Sequence, residues 1–258
     1  MSAAQKGLQI LPLSQFRMIG AGDDLAALVD DSMRLQGIRL EDDDIVVVAQ
    51  KIVSKAEGRT VRLADVEPSE SARDLALEVD KDARMVELIL RESAAVIRTA
   101  PGVVIVRHKL GLVCANAGID RSNVDHGDAE LALLLPEDPD KSARELRAKL
   151  EAGSGRSLGV VICDSVNRPW RLGSVSIAIG SSGIKVLDDQ RGQADIFGRT
   201  LTTTMSNIAD SIATASSLVM GETTEQVPCV VVRGVAARDN TQKSADCIRP
   251  VEEDLFLQ

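Results

Sequence analysis

Residues 44–53 read DIVVVAQKIV, and this stretch decides the fold class. Its Val and Ile residues follow one another without the alternation of apolar and polar residues that marks a half-exposed strand. A continuous β-branched run of this kind is typical of a strand that is buried on both faces of a sheet. The sequence therefore predicts a buried strand over Asp44–Val53.

Further strands and helices alternate along the chain without a strict βαβ rhythm. Strands are predicted for GVVIVRH (102–108), Leu158–Cys163 and PCVVVRG (228–234), and SVSIAIGSSGIKVLDD (174–189) is interpreted as two strands around a turn at Gly180–Gly183. Helices are predicted from Pro68 and Ser69 to residue 97, for KSARELRAKLEAG (141–153) with Gly153 as its end, and for about Thr202–Met220. The predicted fold class is α+β, a mixed β-sheet with helices. The chain, residues 1–258, is expected to form one unit or two interleaved lobes.

Composition excludes several classes of protein. A net charge of −9 and an aromatic content of 2% disfavour nucleic-acid binding, which needs a basic face and stacking side chains. No apolar run approaches the roughly 18 residues of a membrane span, so a cytoplasmic protein without a membrane partner is expected. The four cysteines show no paired spacing, and they are predicted to be buried thiols: Cys114, Cys163, Cys229 and Cys247.

Carboxylates beside small residues are the strongest chemical signal. Asp120, Asp164 and Glu222 each follow an apolar segment, and carboxylate oxygens are the ligands that Mg²⁺ and Mn²⁺ prefer. Taken singly, each residue is more simply explained as a cap of a helix or a turn. Lys55 is placed to reach a phosphate, although a solvated loop lysine is the simpler interpretation. Neither a phosphate loop nor a dinucleotide fingerprint is present in the sequence.

Several separate segments together resemble one known family. They are VVVAQKIVSKAEGR (46–59), GLVCANAGIDRSNV (111–124), DSVNRPWRLGSVSIAIG (164–180), DIFGRTL (195–201) and SLVMGETTE (217–225) followed by VPCVVVRG (227–234). In motif order and spacing, the chain resembles coenzyme F-420-0:L-glutamate ligase over nearly its whole length. The resemblance implies an α+β fold particular to this family and an intertwined homodimer.

The resemblance also implies roles for individual residues. Metal ligands are implied at Asp120, Asp164, Ser165 and Glu222. Nucleotide contacts are implied at Phe16, Arg17, Met18, Ile19, Gln50, Lys51, Lys55, Asn123, Met220, Gly221, Glu222, Thr223, Thr224, Glu225, Gln226 and Val227. The implied cofactors are two Mg²⁺ or Mn²⁺ ions, with a monovalent cation as a further candidate.

The activity implied by the resemblance is GTP-dependent addition of L-glutamate to the deazaflavin precursor F-420-0 through an acyl phosphate. No C-terminal domain of the flavin reductase type is expected. Two alternatives use the same residues: a metal-dependent phosphotransferase or hydrolase on another substrate, and a guanine-nucleotide-binding module without catalysis. The sequence does not single out a general base for the glutamate amine.

Overall fold

The structure is a computed structural model that describes residues 7–122, 129–167 and 171–255. Its α-helices are α1 (Leu25–Gln36), α2 (Gln50–Ala56), α3 (Glu70–Val79), α4 (Ala83–Arg91), α5 (Pro139–Ser154) and α6 (Ile208–Met220). Its strands are β1 (Gln9–Leu13), β2 (Ile45–Ala49), β3 (Thr60–Arg62), β4 (Ser93–Ala100), β5 (Val103–His108), β6 (Val113–Ala115), β7 (Leu131–Leu133), β8 (Gly159–Asn167), β9 (Ser174–Ser182), β10 (Leu187–Asp189), β11 (Met205–Asn207) and β12 (Cys229–Arg233). Helices and sheets of mixed direction confirm the predicted α+β class.

The chain divides into two compact units, and each is assembled from separate segments. Within the described residues, the first unit combines 7–18, 24–53, 138–167 and 171–247. The second unit combines 19–23, 54–122, 129–137 and 248–255. Because the chain passes back and forth between the units, neither is a continuous stretch of sequence.

A five-stranded sheet organises the first unit. Its strand order is β1-β12-β2-β8-β9, in which β2 and β8 run parallel and every other neighbouring pair is antiparallel. Residues 45–48 of β2 are fully buried, as predicted for a strand covered on both faces. The strands predicted at 158–163 and 228–234 are confirmed as β8 and β12, and the strand predicted at 102–108 is confirmed as β5 in the second unit.

Helices cover both faces of this sheet. On one face, Ile212 and Ala213 of α6 pack with Val47, Val161 and Val230 in a single apolar cluster. On the other face, α5 lies so close to the sheet that a Cβ on Gly180 would come within 2.3 Å of the Pro139 carbonyl oxygen. Any larger residue at Gly180 would push α5 off the strand, so this contact requires glycine.

The strand predicted over Asp44–Val53 is too long. The strand ends at Ala49, and Gln50 begins α2. Gln50, Val53 and Ser54 are buried, and this spacing of three and four residues belongs to a helix rather than a strand. Short apolar runs fit both periodicities, and here packing at the end of the sheet favours the helix.

The long helix predicted from Pro68 to residue 97 is also wrong in part. It is broken between α3 and α4 because Asp80 adopts a left-handed conformation (φ 50°) and the Asp82 side chain caps α4. Asp and Asn adopt this conformation more readily than most residues. The last part of the predicted helix is the strand β4, which pairs with β5.

Three other predicted boundaries are corrected by the structure. Residues 174–189 contain the two predicted strands, but β9 runs through Gly180 to Ser182, and β9 pairs with β8 whereas β10 pairs with β11. Helix α5 continues through Gly153 to Ser154 and is capped by Gly155, whose φ of 67° suits the left-handed cap position. Helix α6 begins at Ile208 rather than near Thr202, because the chain before it forms β11 and Asn207 caps the helix.

The second unit has its own apolar core and two smaller sheets. The strand orders are β3-β7 and β4-β5-β6, and α3 and α4 contribute Ala76, Val86 and Ile89 to a core shared with Val104 and Val106. Among the described residues of the whole chain, no helix combines the length and the apolar character needed to cross a lipid bilayer.

A buried carboxylate links the two helices of the second unit. Glu87 of α4 accepts hydrogen bonds from the Ser69 backbone N–H (2.9 Å) and hydroxyl (2.6 Å) and from Arg91 (2.7 Å). Ser69 is also the N-cap of α3. The Ser69 hydroxyl, its backbone N–H and then Arg91 lower the pKa of Glu87 from 4.5 to about 2.

We predict that Glu87→Gln destabilises the chain by roughly 1–3 kcal/mol at pH 7, because hydrogen bonds to a charged acceptor are lost. The folded-state pKa is depressed, so the ionised carboxylate stabilises the fold above pH 4.5 and loses this effect as the pH falls toward 2. Urea unfolding at pH 7 and pH 3 should therefore show a smaller difference between variant and wild type at pH 3. The control is Glu70→Gln, at an exposed residue in α3. Equal losses of unfolding free energy at pH 7 and pH 3 would contradict the assignment of this stabilisation to the ionised Glu87 carboxylate.

Candidate functional site

The candidate residues of the first unit lie along one edge of the five-stranded sheet, the edge at which the strands β1, β2 and β8 end. Leu13 at the end of β1 is level with Cys229 at the start of β12, Val48 of β2 pairs with Cys229, and Ala49 pairs with Cys163 of β8. The ends of β1, β2 and β8 and the starts of β12 and β9 therefore lie along the same edge. Ligand groups in open sheets usually follow the carboxyl ends of parallel strands.

Four chain segments bring the predicted residues to this edge. They are Phe16, Arg17 and Met18 after β1, Gln50 and Lys51 after β2, Asp164 and Ser165 within β8, and the 220–227 segment between α6 and β12. These residues are widely separated in sequence, and the strand register alone places them on one side of the unit.

Asp164 and Ser165 lie on a strand that continues beyond its parallel neighbour. After Cys163, β8 pairs only with β9, from Asp164 opposite Ile177 to Asn167 opposite Ser174. Successive side chains of a strand point to opposite faces, so Asp164 and Ser165 are presented on different sides of this extension. Asp164 is half-buried and Ser165 is exposed.

The loop after α6 supplies Glu222. Gly221 ends the helix, donates its N–H to the Ser217 carbonyl (3.0 Å), and has φ 71° and ψ −179°, a conformation that is essentially confined to glycine. The turn carries the exposed Glu222 back to the sheet, where its Oε1 accepts a hydrogen bond from the Ser165 hydroxyl at 2.7 Å. Two predicted metal ligands from distant parts of the sequence are thus in direct contact.

Cys163 lies at the base of this site and is chemically inert. Burial first, and then the negative charges of Asp164 and Glu222, raise the pKa of the Cys163 thiol to about 12. The thiolate is the nucleophilic form of cysteine, so a thiol with this pKa is unsuited to nucleophilic catalysis.

The remaining cysteines fit the prediction of unpaired thiols. Cys229 is buried, whereas Cys114 and Cys247 are half-buried and therefore less enclosed than predicted. Burial raises the pKa of Cys229 above its usual range and raises that of Cys247 to about 11. None of the four described cysteines forms a disulfide.

Asp120 belongs to the second unit and organises a turn. Its Oδ1 accepts hydrogen bonds from the Ser122 N–H (2.8 Å) and hydroxyl (2.7 Å), and its backbone pairs with Leu133. This is the turn arrangement that the simpler interpretation of the sequence predicts for aspartate. The role of Asp120 as a metal ligand stays a prediction.

The other candidates outside the first unit are Lys55, Ile19 and Asn123. Lys55 lies in the last turn of α2, and its carbonyl accepts the Gly58 N–H (3.0 Å). Ile19 begins the second unit. Asn123 lies outside the described residues.

The oxygen atoms at the sheet edge suit a hard divalent cation. Asp164, Ser165 and Glu222 offer carboxylate and hydroxyl oxygens, which Mg²⁺ and Mn²⁺ prefer over nitrogen or sulfur. In the part of the chain that the structure describes, no three His, Cys, Asp or Glu side chains form a cluster that could hold a metal ion. The contact between Ser165 and Glu222 is the part of the predicted set that the structure brings together.

Cationic side chains occur at the same edge despite the net negative charge. Arg17 follows β1, Lys51 follows β2 and the exposed Arg171 precedes β9. Positive charge close to the carboxylates is a suitable setting for an anionic ligand together with a metal ion.

The geometry defines an α+β protein with an oxygen-rich site at the edge of a mixed sheet. The model of the family described as F420-0:Gamma-glutamyl ligase matches residues 14–234. The chain belongs to this family, which confirms the resemblance seen in the sequence. The matched region includes every residue named here as a candidate ligand.

Curated relatives cover almost the whole chain. A protein from Methanopyrus kandleri is 42% identical over 253 residues, which cover 96% of this chain and 97% of that protein. A protein from Archaeoglobus fulgidus is 42% identical over 249 residues and 96% of each chain. A protein from Methanothermobacter thermautotrophicus is 43% identical over 228 residues, or 88% of this chain and 89% of that protein. All three are named Coenzyme F420:L-glutamate ligase.

We predict that Glu222 and Asp120 differ in their importance for folding. Glu222 is exposed and is bonded to an exposed serine, so Glu222→Ala should change the free energy of unfolding by no more than about 0.5 kcal/mol. Asp120→Ala should cost roughly 0.5–2 kcal/mol, the scale of a lost capping interaction. Chemical denaturation of both variants tests this. A loss for Glu222→Ala as large as that for Asp120→Ala would mean that Glu222 is a structural residue.

Proposed function

We propose that this chain catalyses GTP-dependent ligation of L-glutamate to the deazaflavin precursor F-420-0, forming a γ-glutamyl amide bond in coenzyme F-420 biosynthesis. Two observations support the proposal: the shared family and relatives named as L-glutamate ligases, and the oxygen-rich sheet edge with the Ser165–Glu222 contact. The contact carries most weight because it joins segments 57 residues apart, at positions where the family resemblance implies metal ligands.

The proposed chemistry has two steps. The precursor carboxylate attacks the γ-phosphorus of GTP, a P–O bond to the carboxylate forms, the P–O bond to the leaving oxygen breaks, and GDP departs. The glutamate amine then attacks the acyl phosphate, a C–N bond forms, the C–O bond breaks, and phosphate leaves while the amine loses its protons. Activation is required because a free carboxylate has no suitable leaving group. Holding both reactants in one site makes the second step effectively unimolecular.

In this proposal, Asp164, Ser165 and Glu222 hold divalent ions, and the metal-ligand role of Asp120 stays a separate prediction. When bound, such ions neutralise charge on the transferring phosphoryl group and fix its orientation. Lys51 and Arg17 add positive charge at the same edge as Asp164 and Glu222. The other proposed nucleotide contacts of this unit are the residues of the 16–18 and 220–227 segments with Gln50, and they orient GTP for in-line attack. The contacts implied at Ile19, Lys55 and Asn123 stay separate predictions.

Incubation of the purified chain with F-420-0, glutamate, GTP and Mg²⁺ or Mn²⁺ tests the activity. We expect mass spectrometry to show product longer by glutamate, with GDP and phosphate released in equal amounts, and ATP to be a poor substitute. Glutamate-independent release of phosphate would instead favour the phosphotransferase or hydrolase alternative. Binding of GTP without any turnover in the full mixture would favour the non-catalytic module.

We predict that Asp164→Asn and Glu222→Gln abolish metal binding while the chain stays folded, because both substitutions keep the shape and remove the charge that a divalent ion needs. Calorimetric titration with Mn²⁺ should show the loss, and turnover should fall by roughly 100-fold. The matched control is Glu145→Gln, an exposed carboxylate on α5. Unchanged Mn²⁺ affinity in both site variants would remove these residues from the metal site.

We also propose that the chain forms a homodimer, as the family resemblance implies. The small residues Ala209, Ala213 and Ser216 of α6 are buried in their own unit. By contrast, Ile196 and Phe197 at the tip of the β10–β11 hairpin are 91% and 83% exposed. An apolar tip of this kind suits burial against a second copy.

Light scattering of the purified protein tests the assembly. The wild type should have the mass of a dimer, and Ile196→Ser with Phe197→Ser should shift it toward a monomer. Leu77→Ser, at an exposed leucine on α3, is the control and should leave the mass unchanged. A monomeric wild type at catalytic concentration would overturn the proposal.

A further inference from the structure

Ser176 of β9 lies directly opposite Ser165 in the antiparallel pairing of β9 with β8. A neighbouring pair shows which face of the sheet the two serines share. Cys163 and Ala178 are also opposite each other, and both belong to the apolar cluster that packs against α6. Side chains two residues apart on a strand point to the same face, so Ser165 and Ser176 lie on the α6 face as well.

Backbone hydrogen bonds show that the two serines form a close pair. The N–H of Ala178 donates to the Asp210 carboxylate of α6 at 2.9 Å, so this N–H is not used in pairing with β8. Hydrogen-bonded and non-hydrogen-bonded pairs alternate along an antiparallel ladder, so Ser165 and Ser176, two residues further along, form a non-hydrogen-bonded pair too. The Cα atoms of such a pair are only about 4.5 Å apart, and the two side chains lie side by side.

Ser176 is buried, yet its hydroxyl lacks a hydrogen-bond partner. Thr214 of α6 donates its hydroxyl to the Ser176 carbonyl at 2.7 Å, and Ser176 is only 3% exposed. Among the described residues, no group forms a hydrogen bond with the Ser176 hydroxyl. Most buried polar side chains have a partner. Packing against α6 does not require the hydroxyl, because Ala178 fills the corresponding position of the neighbouring pair.

Ser165, Ser176 and Glu222 bring three oxygen-bearing side chains to the same face of the strand extension. Ser165 Oγ and Glu222 Oε1 are 2.7 Å apart. Mg²⁺ binds oxygen at about 2.0–2.1 Å with octahedral geometry, so neighbouring ligand atoms lie about 3 Å apart. The observed separation is close to that spacing, and Ser176 provides a further oxygen beside Ser165.

We propose that the Ser176 hydroxyl is a direct ligand of the divalent ion that Ser165 and Glu222 hold. The inference rests on the proposed function, which includes a metal site at this sheet edge. A hydroxyl oxygen next to a carboxylate suits a hard cation such as Mg²⁺ or Mn²⁺. The ion gives the buried Ser176 oxygen the polar partner that no described side chain or backbone group provides.

Ser176→Ala separates a metal ligand from a packing residue. The loss of an unpaired hydroxyl should leave the urea unfolding midpoint unchanged or raise it, whereas calorimetric titration should show Mn²⁺ binding roughly tenfold weaker or more. The matched control is Ser181→Ala, which should bind Mn²⁺ like the wild type. Ser181 is a buried serine of the same strand with an unpaired hydroxyl, but it lies opposite Val161, about 17 Å along the strand from Ser176.

Ser176→Cys tests direct ligation through a change of metal preference. Sulfur ligands favour softer ions than oxygen ligands do. The variant should therefore bind Mn²⁺ roughly tenfold more weakly than the wild type and Cd²⁺ roughly tenfold more tightly. A new ultraviolet absorption band from a Cd²⁺–thiolate bond should accompany the gain. The wild type gives the baseline for Cd²⁺, which includes any contribution from Cys163.

The remaining outcomes would overturn the inference in different ways. Mn²⁺ affinity in Ser176→Ala equal to that of the wild type would remove Ser176 from the site and leave the proposed function standing. No gain of Cd²⁺ affinity in Ser176→Cys would show that the side chain does not touch the ion, whatever Ser176→Ala shows. A wild type that binds no Mn²⁺, with or without GTP, would refute the metal site of the proposed function and the inference with it.

Discussion

The parallel pairing of β2 with β8 is the constraint on which the first unit depends. The pairing runs from Ile45 opposite Gly159 to Ala49 opposite Cys163, and the central residues of both strands are fully buried. In a parallel pair both carboxyl ends lie at one edge, so α2 and the extension of β8 begin side by side. Both strands are buried on both faces here, so each contributes apolar side chains to the packing above and below the sheet.

The rest of the site follows from this pairing through antiparallel neighbours. Strand β12 runs against β2, so the loop before it reaches the same edge, and β1 runs against β12, so the segment after β1 does too. Helix α6 packs on the sheet and ends at Gly221, which directs Glu222 to Ser165. Rigid buried strands thus support a site composed largely of exposed polar side chains.

Much of this fold could be predicted because buried strands appear in the sequence as continuous runs of β-branched residues. The runs in β2, β5, β8 and β12 are almost wholly β-branched, and all four are strands. One error lies where the local sequence pattern fits two structures, because IVSK after β2 is compatible with both a strand and a helix. Another concerns strand pairing, because residues 187–189 pair with 205–207 rather than with the preceding strand. The two strands of that hairpin are far apart in the sequence, so a short stretch of sequence does not contain both partners.

The chemistry of the site was less accessible to sequence reasoning. Asp164 and Ser165 could be placed near a strand end, but their position on a strand extension depends on β8 pairing with β9 beyond the end of β2. The return of Glu222 to Ser165 depends on the backbone angles of Gly221, which a glycine in the sequence permits but does not specify. The observed hydrogen bonds of Asp120 are those of a turn, which is the simpler of the two predictions made for this residue.

Activation of a carboxylate by phosphoryl transfer can be measured at this site through the fate of the carboxylate oxygens. F-420-0 labelled with oxygen-18 in its reacting carboxylate would be converted in the presence of GTP and glutamate, and the released phosphate analysed by mass spectrometry. An acyl phosphate predicts that each phosphate carries one labelled oxygen and that the new amide keeps the other. Phosphate without label, formed at the same rate as product, would contradict the account.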